Sequence, residues 1–349
     1  MSDDFYSDDY PTVDEVLESH ADEVAPLRRP VMLVALEGWF DAATAATSAL
    51  ERLMQSRECV TVASIDPDPF FDFTQQRPEA YIDEDGERQI RWPYNDIVVA
   101  RGDDGSRDLV VLSGVEPHLF WQTYVGCVIR TARELHCGAL VTVGANFDTV
   151  PHTRSPIVTG STTNSALAGK LRLSRPHYQG PTGVAGVLQQ RLDGDRMAPV
   201  SLRVGVPHYL SSSEHPKSSA ALLRHLESVL GVPTHHAAMY EEIQRWAELH
   251  DTAIEDDEER RTTCARLSAT TTAATTPPSR APTTSVTPSN AFFASKTTSK
   301  FTQNSPQKLS QFLLRDIVSQ HGFRTDPQYW RLDVPSRACE SSRAVCRSR

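Results

Sequence analysis

The sequence predicts an α/β protein of three layers, in which a mixed and mostly parallel β-sheet carries helices on both faces. Two observations predict this fold class. Short apolar runs rich in β-branched residues alternate along the chain with segments whose apolar residues recur at helical spacing. The apolar runs are continuous rather than alternating with polar residues, which is typical of strands covered on both faces.

Four runs are predicted to be strands of this sheet. The run at 31–36 is wholly apolar, and the runs at 59–65, 109–113 and 139–144 contain several β-branched residues. The segment RQIRWPYNDIVVARGDDGSRDLVVL places an Asp-Gly pair between two β-rich stretches, which predicts a hairpin within the same sheet. Because a hairpin reverses the chain, the sheet is expected to be mixed.

Helices are predicted where apolar residues repeat every three or four positions. The first helix begins behind Asp41, whose side chain is typical of a helix N-cap. Others are expected at about 118–136, 163–172, 183–192 and 216–230, and a last one at about 236–259. Strands and helices therefore follow each other in the order that an α/β layer structure requires.

Charge divides the chain into two parts of opposite sign. Residues 1–259 carry 41 acidic and 21 basic side chains, a net charge of −20, whereas residues 260–349 carry 4 and 14, a net charge of +10. Ser and Thr fill 18 of the 38 positions from 268 to 305, a composition that cannot bury a core. We therefore predict an acidic N-terminal segment at 1–27, an α/β domain at 28–259 and a mostly disordered tail at 260–349. A frame change in the gene and a genuine disordered tail are both open explanations of the tail.

Composition also sets expectations about surroundings and partners. No apolar run approaches the roughly 20 residues of a membrane-spanning helix, and the acidic N-terminus lacks the pattern of a secretory signal. A formal charge of −10 is unsuited to nucleic acid. The six cysteines are dispersed and form no CxxC pair. We expect a cytoplasmic protein without a membrane or nucleic-acid partner, and without a metal or other cofactor.

Familiar catalytic motifs are missing from the sequence. It contains no HExxH, no GxSxG and no GxxxxGK[ST]. The densest polar segment follows the run at 139–144 and carries Asp148, His152 and Arg154. His152 is a candidate general base with Asp148 to orient it, and Arg154 is a candidate holder of a phosphate or carboxylate. The open alternative is a stiff loop whose polar side chains bond to its own backbone.

Two further strand ends carry polar residues. Glu37 and Asp41 follow the first strand, and His208 follows the SLRVG run. Ligands of open α/β sheets bind at the carboxyl ends of strands, so these residues and His152 are expected on one rim. The open alternatives are a helix cap for Asp41 and a simple turn residue for His208.

Three glycines are candidates for binding an anion. Gly180, Gly183 and Gly186 recur at intervals of three in GPTGVAG, before a predicted helix. This spacing permits a close approach of the backbone to an anion at a helix start. A turn that needs glycine conformations is the alternative.

Eight segments together resemble a known family. They are EGWFDA (37–42), IDPDPFFDFTQQRP (65–78), IRWP (90–93), GVEPHLFWQTY (114–124), GANFDTVPHTRSPIVTG (144–160), YQGPTGVAGVLQ (178–189), VPHYL (206–210) and HPKSSAALLRHLE (215–227). From about residue 28 to 259, the chain resembles the actinobacterial branch of the proteasome assembly chaperone family, of the second-subunit type. The resemblance implies a fold similar to that of nucleoside phosphorylases and hydrolases, with oligomers expected and no agreed activity for bacterial members.

Two functions are weighed on this basis. The first is a non-catalytic, chaperone-like scaffold that binds a protein partner and forms homo-oligomers. The alternative is a phosphorylase/hydrolase-like enzyme that acts on a nucleoside or a small phosphorylated substrate, with Asp148, His152 and Arg154 in its site. A small-molecule ligand belongs to the second hypothesis.

Overall fold

The computed structural model describes residues 10–102, 105–193, 196–210 and 214–275. Its strands are β1 (Leu17–Ser19), β2 (Val31–Glu37), β3 (Cys59–Ile65), β4 (Glu79–Ile82), β5 (Arg88–Arg91), β6 (Asp96–Ala100), β7 (Leu109–Val115), β8 (Ala139–Asp148), β9 (Val158–Ser161) and β10 (Ala198–Pro207). Its helices are α1 (Val13–Val16), α2 (Ala45–Gln55), α3 (Trp121–Glu134), α4 (Ser165–Leu171), α5 (Val184–Arg191), α6 (Pro216–Leu230), α7 (Tyr240–Glu255) and α8 (Glu258–Thr275).

Eight strands form one sheet in the order β1-β3-β6-β7-β2-β8-β10-β9. Parallel pairing joins β7, β2, β8 and β10, and antiparallel pairing joins the remaining neighbours. Five of the eight strands, β3, β7, β2, β8 and β10, therefore run in one direction, so the sheet is mixed and mostly parallel as predicted. The predicted hairpin is the antiparallel pair β6–β7. The ends of β2, β7, β8 and β10 share one rim, which we call the carboxyl edge.

Side chains on the two faces of the sheet pack against different helices. Along β2, Val31, Leu33 and Ala35 join the core beneath α2 and α6. Met32, Val34 and Leu36 join the core beneath α3 and α5. Because successive side chains of a strand point to opposite faces, a strand covered on both faces must be apolar throughout. This confirms the predicted three layers.

The N-terminal segment that we separated from the domain is part of the sheet. β1 pairs antiparallel with β3, and Leu17 lies opposite Ile65. Val16 is buried in the same core as Ile65. The sequence pattern does not reveal this strand, because it has only three residues, of which Glu18 is exposed, and it follows the exposed Asp14 closely. The folded part therefore begins before residue 28.

The last described helix crosses the boundary that we predicted at residue 260. Residues 268–275, expected to lack regular structure, belong to α8. The first ten residues of α8 supply Arg and Leu, which are good helix formers, and its Cys264 packs beside Leu210 and Trp246. The rest of the predicted tail, from residue 276, lies outside the described residues, so its disorder stays a prediction.

Strands β4 and β5 form a separate two-stranded hairpin whose eight residues are all exposed.

Across the described ranges, no helix has the length and apolar character to cross a bilayer.

Candidate functional site

His152 lies in the loop after β8, and 4% of its surface is exposed. Its Nδ1 lies 2.8 Å from the hydroxyl oxygen of Tyr209, and its Nε2 lies 2.8 Å from Oδ1 of Asp251. The backbone N–H of His152 donates to the same hydroxyl oxygen at 2.8 Å, and Lys217 Nζ donates to its carbonyl at 2.8 Å. All four polar atoms of His152 are therefore engaged by residues of this chain.

Asp148 and Arg154 do not join His152 in the way that the sequence suggested. The carboxylate of Asp148 is exposed and accepts the backbone N–H of Thr149 at 2.7 Å. Arg154 is exposed too. Asp251 of α7 takes the orienting position instead, 99 residues further along the chain than His152. Sequence reasoning missed Asp251 because it searched the loop in which His152 stands.

The thiol of Cys264 completes this cluster at 3.6 Å from His152 Nδ1. A thiol, an imidazole and a carboxylate are the groups that thiol nucleophiles use. The Tyr209 hydroxyl is closer to the same nitrogen, and burial raises the pKa of Tyr209, so the hydroxyl keeps its proton. In the neutral ring, Nε2 donates to the Asp251 carboxylate and Nδ1 accepts from Tyr209. This arrangement fixes the position of His152, and the lone pair of Nδ1 is already engaged by the Tyr209 hydroxyl.

The side chain of Asp41 binds the first turn of α2. Its buried carboxylate accepts the backbone N–H of Ala46 at 2.7 Å and that of Thr47 at 3.3 Å. Burial raises the pKa of Asp41, and the negative charge of Glu37 raises it further. Glu37 itself is exposed at the end of β2. Asp41 therefore serves the helix, as the alternative interpretation held.

His208 connects the loops that follow β8 and β10. It is exposed, and its Nδ1 lies 3.2 Å from the carbonyl oxygen of Asp148. Its ring meets the ring of Tyr209 edge-on, with 5.5 Å between centroids. These two loops meet at the carboxyl edge as expected. Within the described ranges, no hydrogen bond or ion pair joins these two loops to Glu37 or Asp41.

The start of α5, where we predicted an anion, holds a carboxylate of the chain itself. Glu116, just after β7, accepts the backbone N–H of Val184 through Oε1 at 2.8 Å. Its Oε2 accepts the backbone N–H of Trp39 at 3.1 Å. A Cβ at Gly183 would overlap Oε1, so glycine is required for this approach. The predicted anion site is therefore occupied by Glu116, which joins three loops of the carboxyl edge.

The other two glycines serve local geometry. Gly180 has a φ of +152°, in the region that favours glycine. Gly186 lies inside α5, where a Cβ would collide with the hydroxyl of Thr182. Neither position shows a cradle open to an external anion.

A further buried histidine stands at the start of α6. His215 Nδ1 accepts the backbone N–H of Ser218 at 3.1 Å, and its ring lies edge-on to Trp246 with 4.5 Å between centroids. Burial, aided by the charges of Lys217 and His250, lowers the pKa of His215 to about 4. The sequence signal that could have identified His215 is Pro216, which follows it directly. Proline is common in the first turn of a helix, so the residue before Pro216 is a candidate N-cap.

In the described ranges, no group of three or more His, Cys, Asp or Glu side chains is arranged to hold a metal ion.

Comparison with known proteins gives a consistent result. A family model described as the PAC2 family matches residues 35–253. A PAC2 family protein from Streptomyces avermitilis is 34% identical, with a TM-score of 0.63 over 67% of this chain and 99% of that one. A proteasome-assembly chaperone homologue from Mycobacterium tuberculosis is 32% identical, with a TM-score of 0.61 over 67% of this chain and 99% of that one.

The archaeal proteasome activator PbaB from Pyrococcus furiosus shares the fold at 16% identity, with a TM-score of 0.54 over 68% of this chain and 97% of that one. A comparison with curated proteins finds no match.

Proposed function

The chain belongs to the PAC2 family, and from this we propose that it is a non-catalytic, chaperone-like scaffold that binds a protein partner and associates with itself. The relative from Mycobacterium tuberculosis is described as a proteasome-assembly chaperone homologue. We therefore take proteasome subunits as the first partner to test.

The observation that carries the proposal is a patch of large apolar side chains on the β4–β5 hairpin and the residues after it. Ile82 is 57% exposed, Ile90 46% and Trp92 48%. We call these three residues the hairpin patch. In the register of the hairpin, Ile82 and Ile90 share one face. Large apolar side chains grouped on a surface favour protein–protein contact.

An acidic cleft lies beside the hairpin patch and shares Trp92 with it. The cleft has a volume of about 670 Å³, and Tyr94 also lines it. The carboxylates along its walls are those of Asp14, Glu15, Glu18, Asp66 and Asp96. An apolar patch next to carboxylates fits a partner surface that presents apolar residues with a Lys or Arg rim.

The contacts of His152 support the non-catalytic reading. The alternative hypothesis of an enzyme requires that His152, Asp148 and Arg154 surround one substrate. The polar atoms of His152 instead bond to Tyr209, Lys217 and Asp251. No observation in the described residues favours a nucleoside or a small phosphorylated substrate at this place. The cytoplasmic location also stays a prediction.

The test is sedimentation velocity of the full chain, alone and with purified proteasome α subunits from the same organism. The double variant Ile82→Asp, Ile90→Asp places charge on the hairpin patch and is expected to lose both self-association and subunit binding. Leu249→Asp is the matched control, because Leu249 is 70% exposed and stands on α7 rather than on the hairpin. Circular dichroism checks that both variants fold.

The proposal would be contradicted by a wild-type chain that neither self-associates nor binds the subunits. It would equally be contradicted by a hairpin variant that behaves like the wild type.

A further inference from the structure

The two edges of the eight-stranded sheet carry opposite charge. β1 stands at one edge and β9 at the other. Residues 10–27, which include β1, contain no Lys or Arg and five carboxylates, those of Asp14, Glu15, Glu18, Asp22 and Glu23. Residues 149–182, which include β9, contain no carboxylate and four basic side chains, those of Arg154, Lys170, Arg172 and Arg175. We call these two regions the acidic edge and the basic edge.

At the basic edge, the segment that follows α4 is fixed against β9. Ser174 donates its backbone N–H to the carbonyl oxygen of Gly160 in β9 at 3.0 Å, and Leu173 is buried in the core. The neighbouring side chains of Arg172 and Arg175 are exposed. Within the described part of the chain, neither guanidinium has a hydrogen-bond or ion-pair partner. Two unpaired positive charges are therefore held in place at this edge.

At the acidic edge, the cleft of about 670 Å³ has the chemistry that an arginine needs. Glu18 and Asp66 line this cleft, and both are exposed. Trp92 and Tyr94 also line it, and they are 48% and 49% exposed. A guanidinium stacks on aromatic faces and forms charge-assisted hydrogen bonds to carboxylates. The cleft can therefore receive an arginine side chain through both kinds of contact.

The strand order shows that the two edges of one copy do not meet. Eight strands spaced about 4.8 Å apart place the edges roughly 34 Å from each other. The basic edge of one copy is thus available to the acidic edge of another. Contact between two acidic edges would instead bring like charges together, which is unfavourable. Charge complementarity therefore favours contact between unlike edges of two copies.

We propose that copies of this chain associate head to tail, with Arg172 and Arg175 of one copy docked in the acidic cleft of the next. This inference rests on the self-association included in the proposed function, and it assigns surfaces to that association. The cleft shares Trp92 with the hairpin patch, so a change in the patch is expected to disturb this contact too. Because the two surfaces differ, the contact repeats from copy to copy until a ring closes or a filament forms.

Two double variants of the full chain each remove one of the surfaces. Arg172→Gln with Arg175→Gln neutralises the basic edge, and Glu18→Gln with Asp66→Asn neutralises the cleft. All four positions are exposed, so both variants should fold, which circular dichroism verifies. In sedimentation velocity at low ionic strength, we expect each variant alone to self-associate about tenfold or more weakly than the wild type, because charge-assisted contacts are lost.

A mixture of the two variants in equal amounts tests the direction of the contact. Each variant keeps one intact surface, and the two intact surfaces are complementary. At concentrations where each variant alone is a monomer, the mixture should therefore form a dimer with one copy of each. Mixing would not restore an isologous contact, in which both copies use the same surface.

Arg191→Gln with Arg245→Gln is the matched control, because it removes the same charge from two exposed arginines that stand on α5 and α7. It should self-associate as the wild type does. A monomeric wild type, edge variants that self-associate like the wild type, or a mixture that stays monomeric would overturn the inference. A restored dimer in a protein that does not bind proteasome subunits would support the inference and contradict only the proposed partner.

Discussion

His152 and His215 show two ways in which this protein buries an imidazole. Both nitrogens of His152 meet a partner, one hydroxyl and one carboxylate. His215 uses Nδ1 to cap α6, whereas its Nε2 is buried without a partner. Desolvation without a compensating bond disfavours the charged ring, which accounts for the lowered pKa of His215.

The pKa of His215 predicts an acid-sensitive stability. When folding lowers the pKa of a basic group, the protein keeps its full stability at pH values above the pKa of the unfolded state. Stability is lost as the pH falls towards the pKa of the folded state. As the pH falls from 6.5, the ordinary pKa of histidine, to about 4, the pKa of His215 in the folded protein, the free energy of unfolding of the wild type should decrease by about 3 kcal/mol. His215→Asn keeps an N-cap acceptor but does not titrate. Urea unfolding at pH 7 and pH 4 should therefore show a smaller loss in this variant.

His177→Asn is the control for that measurement, because His177 is exposed. It should lose as much stability as the wild type over the same pH range. An equal loss in His215→Asn and the wild type would show that His215 does not titrate below its ordinary range.

At the scale of elements, short pieces of backbone complete the sheet. β1 has three residues, yet it covers the edge of β3 and places Val16 in the core with Ile65. An uncovered edge strand invites unwanted pairing with another chain. This small element therefore protects β3 as well as extending the sheet.

Val16→Ala tests whether the segment that contains α1 and β1 contributes to the folded unit, because Val16 directly precedes β1. Val16 is 5% exposed, and the loss of two methyl groups there should lower the free energy of unfolding by about 1.5–2.5 kcal/mol. Val60→Ala is the matched control within β3, where Val60 is 53% exposed, and it should cost clearly less. Equal losses in urea unfolding would mean that the N-terminal segment is not packed as described.

At the scale of the whole molecule, the question is where the folded unit ends. Our sequence analysis placed its end at residue 259, at the change in charge. The structure continues with α8, and Cys264 packs beside Leu210, Trp246 and Ile254. The change in charge therefore falls inside α8.

Two truncated chains separate these boundaries. A chain of residues 1–259 should be less stable to urea than a chain of residues 1–275 by about 1 kcal/mol, because it loses the apolar contacts of Cys264. The full-length protein serves as the reference for both. Identical unfolding curves for the two truncated chains would restore the boundary at 259.

The sequence by itself determined the layers and most of the elements. The run at 59–65 has the bounds of β3, and the helix predicted at 216–230 has those of α6. Local patterns carry this information, since a continuous apolar run or a repeat of three and four fixes how a segment can be buried. The carboxyl edge followed from the same reasoning, which brought His152 and His208 to neighbouring loops.

Only the tertiary structure decided which side chains meet. His152 contacts Asp251 across 99 residues, and Glu116 contacts Val184 across 68. Strand order and helix packing set such pairs, and no pattern within either segment encodes them. The same reason explains β1, whose three residues join the sheet only because they can pair with the edge of β3.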